Sequence, residues 1–235
     1  MIRKVIGLYY SPAGGTARMT ELMAHGLRDR LNESCPHEIE CECISLKCNE
    51  IPEISRETIV VLGMPTYIGK IPVKAARALK RLDGKGAMTL ALLSYSGRSY
   101  GNALYELGHL ATHYGFELIG AGAIAIRYKS LGNGIGRGEA AETGAEEKRA
   151  RRGIVRERAA MDMDALAEYA DASSAKIKRL GGCDIEGLRV KAAPLEVDGR
   201  LPIHRLSRVV PASAAIAQGL IGSIPLGRKK SEWFL

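Results

Sequence analysis

The sequence has no long apolar run, no leader-like segment and few cysteines. No stretch of the 235 residues approaches the ~18 consecutive apolar residues that a membrane-spanning helix needs, so no membrane association is predicted. The first residues carry no basic region followed by an apolar block, so we expect no signal peptide. The five cysteines are odd in number and four lie within residues 35–48, a pattern that does not resemble a disulfide framework. A reducing, cytoplasmic location is therefore expected.

The composition is otherwise that of a globular chain with an uneven charge. Apolar residues make up 46% and charged residues 26%, so one domain with a real core and a long appendage is expected. The net charge is +8, and residues 186–235 hold eight basic and four acidic side chains. Half of the excess charge thus lies in the last fifth of the chain. This distribution predicts a basic tail that meets an acidic partner.

Strand-like apolar segments alternate with helical segments up to about residue 126. Strands are predicted at residues 3–10, 38–46, 58–64, 87–93 and 116–126, with helices after residue 16 and at 72–82 and 101–115. This alternation predicts an α/β fold, a doubly wound parallel sheet with helices on both faces. Strands without a polar face fit such a sheet, because both of its sides are buried.

The pattern breaks after residue 126. Residues 129–160 are rich in glycine and charge and predict a loop insertion, after which a helix resumes at 162–180. We therefore expect one domain over residues 1–182. Residues 183–235 are basic and contain four prolines, which predicts an irregular C-terminal extension that lies on the domain or reaches a partner.

The loop after the first strand has the features of a phosphate site. It reads Ser11-Pro12-Ala13-Gly14-Gly15-Thr16 and opens a helix. The two glycines let the backbone approach a bound group, and the free amides at a helix start attract an anion. It is neither a nucleoside-triphosphate loop nor the Gly-x-Gly-x-x-Gly dinucleotide pattern. A turn that only begins the helix is the alternative.

Two further loops carry prolines, glycines and tyrosines. Residues 63–72 follow the third strand, and residues 94–102 follow the fourth. Ligands of an open parallel sheet bind beyond the carboxyl ends of its strands, so rings on these two loops could enclose a planar group beside the phosphate site. Ordinary packing of the tyrosines is the alternative.

Together the three loops resemble those of the flavodoxin family. Ser11-Pro12 with residues 63–72 and 100–107 is most similar to the flavodoxin half of flavodoxin–ferredoxin fusion proteins of anaerobes. The resemblance implies five parallel strands in the order 2-1-3-4-5 and bound flavin mononucleotide (FMN). It implies phosphate contacts by Ser11, Ala13, Gly14, Gly15 and Thr16, and flavin-ring contacts by Pro65, Thr66, Tyr67, Ile68 and Gly69 on one side and Ser94, Tyr95, Ser96, Gly97, Tyr100 and Asn102 on the other.

The chain departs from this family at two places. Ala13 stands where the flavodoxin loop usually has a hydroxyl, which removes one phosphate donor. Only Cys183 lies beyond Cys48, so the iron–sulfur module of the fusion proteins is absent, because a four-iron cluster needs four thiolates.

Three functions follow from the resemblance. The first is an FMN-binding electron-transfer protein that acts with a redox partner protein, whose acidic surface would meet the basic tail. The second is a flavin-dependent NAD(P)H or quinone oxidoreductase. The third is a flavodoxin-fold binding or regulatory module that has lost its flavin.

Other candidate sites have weaker patterns. Cys41 and Cys43 would share one face of a strand and, with Cys48, could bind zinc or iron. Cysteine is also a common buried strand residue, and no metal site is predicted. The basic run 148–152 has no recognition motif or stacking aromatic residue beside it, so nucleic-acid binding is not predicted.

Overall fold

The computed structural model describes residues 1–48, 52–96, 99–128, 159–183, 191–195, 197 and 232–235. Gly97, nearly all of the predicted insertion at 129–160 and most of the predicted extension at 183–235 lie outside the described residues. Within the described part, no helix is both long enough and apolar enough to cross a membrane.

The described residues form seven strands and four helices. The strands are β1 (Lys4–Tyr9), β2 (Glu40–Ser45), β3 (Thr58–Pro65), β4 (Met88–Tyr95), β5 (Glu117–Tyr128), β6 (Ala159–Met161) and β7 (Glu232–Phe234). The helices are α1 (Gly15–Asn32), α2 (Val73–Leu79), α3 (Ala103–His113) and α4 (Met163–Arg179). Each predicted strand and helix is present, with ends that differ by a few residues at most.

Five parallel strands form the body of the sheet in the order β2-β1-β3-β4-β5. This order confirms the predicted flavodoxin-like, doubly wound fold. The direction of winding reverses between β1 and β3, which are neighbours in the sheet. That reversal opens a crevice at the carboxyl ends of these strands, where ligands of such folds bind.

Beyond the five predicted parallel strands, β5 carries two short antiparallel partners. Residues Ile126–Tyr128 pair with β6, and Ala121–Ala123 pair with β7. The extension that was predicted to be irregular therefore ends in a strand. Both segments have only three residues, too few for a periodic signal, and they cover an edge that would otherwise expose unpaired backbone groups.

Alternate residues of the central strands supply two cores. Val60 and Leu62 of β3 face one core, and Ile59 and Val61 face the other. The first core contains the buried side chains of α2 and α3, and the second contains those of α1 and α4. All eight residues of β3 are buried, which explains why the strand has no polar face in the sequence.

A disulfide joins the ends of α1 and α4, which pack together on one face of the sheet. It connects Cys35 with Cys183, 148 residues apart in sequence. The interpretation of the cysteines as lacking disulfide pairing is therefore wrong for this pair. A count and a spacing cannot show it, because the two cysteines meet only when the two helices pack side by side.

Candidate functional site

The three predicted loops meet at the carboxyl edge of the sheet. Ser94 at the end of β4 connects them. Its side-chain oxygen lies 2.7 Å from the Thr16 hydroxyl oxygen at the start of α1. Its carbonyl oxygen accepts a hydrogen bond from the Thr66 amide, with an N–O distance of 3.0 Å. Ser94 and Thr16 are both buried, so these contacts fix the relative positions of the loops.

The first loop presents an uncapped helix start and a buried hydroxyl. Gly14 precedes α1 in the left-handed conformation (φ +86°), which favours glycine. No side chain caps α1, and its first turn contains no acidic residue. The Ser11 Oγ is buried and has no hydrogen-bond partner among the described residues. Because a buried hydroxyl without a partner is unfavourable, this arrangement fits an anionic group that would accept from Ser11 and from the helix amides.

The second loop is a tight turn with an unusual backbone. The amides of Tyr67 and Lys70 each donate to the carbonyl of the other, with N–O distances of 2.9 and 3.2 Å. Between them, Ile68 has φ +52° and Gly69 has φ +71°. A positive φ is strained for a β-branched residue, yet Ile68 is also 58% exposed. Strained residues of this kind are concentrated where proteins hold ligands.

The second and third loops contact each other through two glycines. A Cβ built on Gly101 would lie 2.8 Å from the Gly69 Cα, and one built on Gly69 would lie 3.2 Å from the Gly101 Cα. Both glycines have positive φ. Only residues without side chains allow this approach, so the pair determines the separation of the two loops.

Glu106 on α3 also holds the second loop, a role that sequence reasoning missed. Its side chain is 1% exposed, and Oε2 accepts a hydrogen bond from the Ile71 amide at 3.2 Å. The available signal was a carboxylate within an apolar helix face, between Leu104 and Leu107. A buried carboxylate needs a donor, and the loop amide supplies one.

The two tyrosines of the third loop have different surroundings. Tyr95 is 5% exposed and lies in the core, with its ring 5.5 Å from the Tyr100 ring at an angle of 68°. Tyr95 therefore supports Tyr100 instead of offering a face of its own to a ligand. Tyr100 is half-buried, and Asn102 is exposed at the start of α3.

The remaining predicted residues lie around this edge in different settings. Pro65 is buried at the end of β3, where it pairs with Ser94. Ala13 is exposed, whereas Gly15, Thr66, Tyr67 and Ser96 are half-buried. The structure therefore brings together parts of all three loops and places Tyr95 and Pro65 behind them.

Two tyrosines at the end of β1 precede the first loop. Burial raises the pKa of Tyr10, and burial together with the nearby Glu21 carboxylate raises the pKa of Tyr9. Both phenols are therefore neutral at physiological pH. They add no negative charge beside the candidate anion site.

A groove at the opposite edge of the sheet is a poorer candidate. It is lined by charged side chains, including Arg3, Glu40 and Glu57. Arg3 and Glu57 are largely exposed and lie 3.5 Å apart as an ion pair. The Nδ1 of His37 in its lining is buried and has no hydrogen-bond partner among the described residues, but no helix begins among the described residues that line this groove.

Known proteins resemble the chain only in overall structure. No protein-family model matches it, and no curated protein matches it. An archaeal flavodoxin is 16% identical, with a TM-score of 0.39 over 72% of this chain and 99% of that chain. An FMN-dependent NADH-azoreductase from Bacillus anthracis is 9% identical, with a TM-score of 0.39 over 74% and 99%.

A third similar structure is a larger protein. Rubredoxin oxygen:oxidoreductase from Desulfovibrio gigas is 16% identical, with a TM-score of 0.37 over 72% of this chain and 36% of that chain. Likenesses with TM-scores this low carry no argument about activity. The assignment of the fold rests on the observed strand order.

Proposed function

We propose that the chain binds FMN at the carboxyl edge of its sheet and transfers electrons to or from a partner protein. The observation that carries this proposal is the buried Ser11 hydroxyl, which lacks a partner among the described residues, in the loop that leads directly into the uncapped start of α1. The resemblance of the three loops to those of flavodoxins, and in particular to the flavodoxin half of the fusion proteins of anaerobes, supports the same ligand.

The described residues fit the two ends of FMN. Ser11 and the first amides of α1 would bind the phosphate, whose charge the helix dipole favours. Ala13 contributes no hydroxyl, so the phosphate has one donor fewer than in a typical flavodoxin loop. The turn at Tyr67–Gly69 and the ring of Tyr100 would line the flavin, because the glycine contact places these loops side by side.

Each group has a separate part in the proposed activity. Bound FMN supplies reversible one- and two-electron redox chemistry. The Tyr67–Gly69 turn and the Tyr100 ring would shield one part of the bound ring system from water and so disfavour added charge on it. The positive charge of residues 186–235 is complementary to a partner with an acidic surface. Opposite charges of this kind accelerate association. Salt should therefore slow the reaction with such a partner.

The binding test compares FMN with riboflavin, which has no phosphate. We expect the full chain to quench the fluorescence of added FMN. Ser11→Ala should weaken FMN binding about tenfold or more, because a hydrogen bond to a charged group contributes ~1.5–3 kcal/mol. Riboflavin binding should not change. Ser34→Ala, on an exposed serine after α1, is the control and should match the unmodified protein.

Two results would overturn the proposal. One is FMN fluorescence that stays unquenched at every protein concentration, and the other is an equal loss of riboflavin and FMN affinity in Ser11→Ala. Steady-state oxidation of NAD(P)H by the FMN-loaded protein, without any partner, separates an electron-transfer protein from an oxidoreductase. We expect negligible turnover in that assay.

A further inference from the structure

Two free cysteines and a histidine from a different element lie together on one face of the sheet. Cys41 and Cys43 are two residues apart on β2, so their side chains point to the same side. Both are partly buried against the core that contains α1. The two sulfur atoms and a ring nitrogen of His25 on α1 all lie within 4.8 Å of one another.

The spacing suits a shared metal ion better than a bond between the sulfurs. Residues two apart on a strand are separated by roughly 6.6 Å with parallel side chains, whereas a disulfide needs Cβ atoms about 4 Å apart. A tetrahedral zinc ion, with Zn–S near 2.3 Å and Zn–N near 2.0 Å, places its ligand atoms roughly 3.5–3.8 Å apart. The three atoms therefore need to approach by about 1 Å at most, and rotation of the exposed His25 side chain can bring its ring nitrogen closer.

The surroundings favour a cation. The thiols of Cys41 and Cys43 are hydrogen bonded to each other. The carboxylate of Glu21 is close enough to act on Cys43. Arg28 is the nearby positive charge, and it is bound to Asp29 at an N–O distance of 2.7 Å.

We propose that His25, Cys41 and Cys43 bind Zn²⁺, with a water molecule as the fourth ligand. Thiolate and imidazole are the ligands that zinc prefers. Binding releases the thiol protons to solvent and joins the edge strand β2 to α1. Cys48, the third cysteine that the sequence offered, lies exposed on the turn after β2 and does not take part.

The experiment uses the full chain after treatment with a chelator, and adds Zn²⁺ or Co²⁺ as the probe. Co²⁺ in a tetrahedral thiolate site produces absorption bands in the red, where FMN does not absorb, so the result does not depend on flavin binding. We expect one bound ion per chain. We also expect two fewer alkylatable thiols in the Zn²⁺ form than in the metal-free form, whatever the state of the disulfide.

Variants identify the ligands. Cys41→Ser and Cys43→Ser should each weaken Zn²⁺ binding at least a hundredfold, and His25→Gln at least tenfold. Cys48→Ser and His109→Gln, on exposed residues outside the cluster, are the matched controls and should bind as the unmodified chain does. Zn²⁺ should raise the unfolding midpoint of the unmodified chain and of these controls only.

The His25→Gln variant tests the site even if a cysteine variant misfolds. His25 is exposed, so its replacement leaves the core intact. Binding that His25→Gln leaves unchanged would overturn the three-ligand site. Binding that Cys48→Ser abolishes would also overturn it. Failure of the unmodified chain to protect its thiols with Zn²⁺ would exclude the site altogether.

Discussion

Replacing Gly101 with alanine tests whether the glycine contact sets the width of the flavin site. The new Cβ would lie 2.8 Å from the Gly69 Cα, whereas ordinary contacts begin at 3.4 Å. The two loops must therefore separate by about 0.6 Å, the difference between these distances. The backbone at Gly101 has φ +55°, a left-handed conformation that costs alanine about 1–2 kcal/mol. The substitution should therefore also lower the free energy of unfolding by about this amount.

The separation predicts a measurable loss of FMN affinity. A flat ring with roughly twenty atoms in contact gains ~2–4 kcal/mol from dispersion at ~0.1–0.2 kcal/mol per contact, and a gap of 0.5–1 Å forfeits a quarter to a half of that. The expected loss is therefore about 0.5–2 kcal/mol, or about twofold to thirtyfold in Kd. Fluorescence titration with FMN measures it.

Gly115→Ala is the matched control. Gly115 also has a positive φ (+82°), but it lies before β5 at the opposite edge of the sheet, and its nearest neighbour would be an Asp83 oxygen at 3.5 Å. Both variants should lower the free energy of unfolding in urea, Gly101→Ala by the larger amount because it adds a backbone clash, and only Gly101→Ala should weaken FMN binding. Equal FMN affinity in the two variants would refute the claim that this contact positions the loops.

Three further predictions address the supports of the site and the fold. Glu106→Ala should weaken FMN binding and lower the free energy of unfolding by about 1.5–3 kcal/mol, because it removes the acceptor of the hydrogen bond from the Ile71 amide. Glu106→Gln keeps an acceptor oxygen, so an equal loss in that variant would contradict the assigned role of this hydrogen bond. Ile68→Asn should raise the free energy of unfolding by about 1 kcal/mol, because asparagine tolerates the left-handed backbone better than isoleucine does. The same variant should weaken FMN binding. Urea unfolding and FMN titration measure the two effects, and a less stable variant would argue against strain at Ile68. Reduction of the Cys35–Cys183 disulfide should lower the free energy of unfolding, measured in urea, by ~2–4 kcal/mol. In the Cys35→Ser/Cys183→Ser double variant, dithiothreitol should leave the free energy of unfolding unchanged.

The metal proposal and the flavin proposal involve separate parts of the same helix. Ser11 and the first residues of α1 lie at its start, while His25 lies further along it on the side of β2. A cation that joins β2 to α1 would therefore stabilise the helix whose first amides would bind the FMN phosphate in the proposed function. The two sites are independently testable, because a Co²⁺–thiolate site absorbs in the red, away from the bands of the oxidised flavin ring.

The five parallel strands, the helices between them and the three loops at the carboxyl edge could all be predicted from the amino-acid sequence. A strand buried on both sides must be apolar throughout, as β3 is, and a helix with one buried face shows a repeating apolar pattern, so both leave local signals. The glycines and prolines of the loops are equally local. Their resemblance to flavodoxins supplied the strand order, which the observed sheet confirms.

The contacts between residues far apart in the chain could not be predicted from the sequence. The contact of Gly69 with Gly101, the hydrogen bond from Ile71 to Glu106, and the group formed by His25 with Cys41 and Cys43 each join different elements. The disulfide and the strand β7 join parts of the chain even further apart. Such contacts follow from how helices and strands pack across the sheet, and packing between elements leaves no periodic pattern in either segment alone.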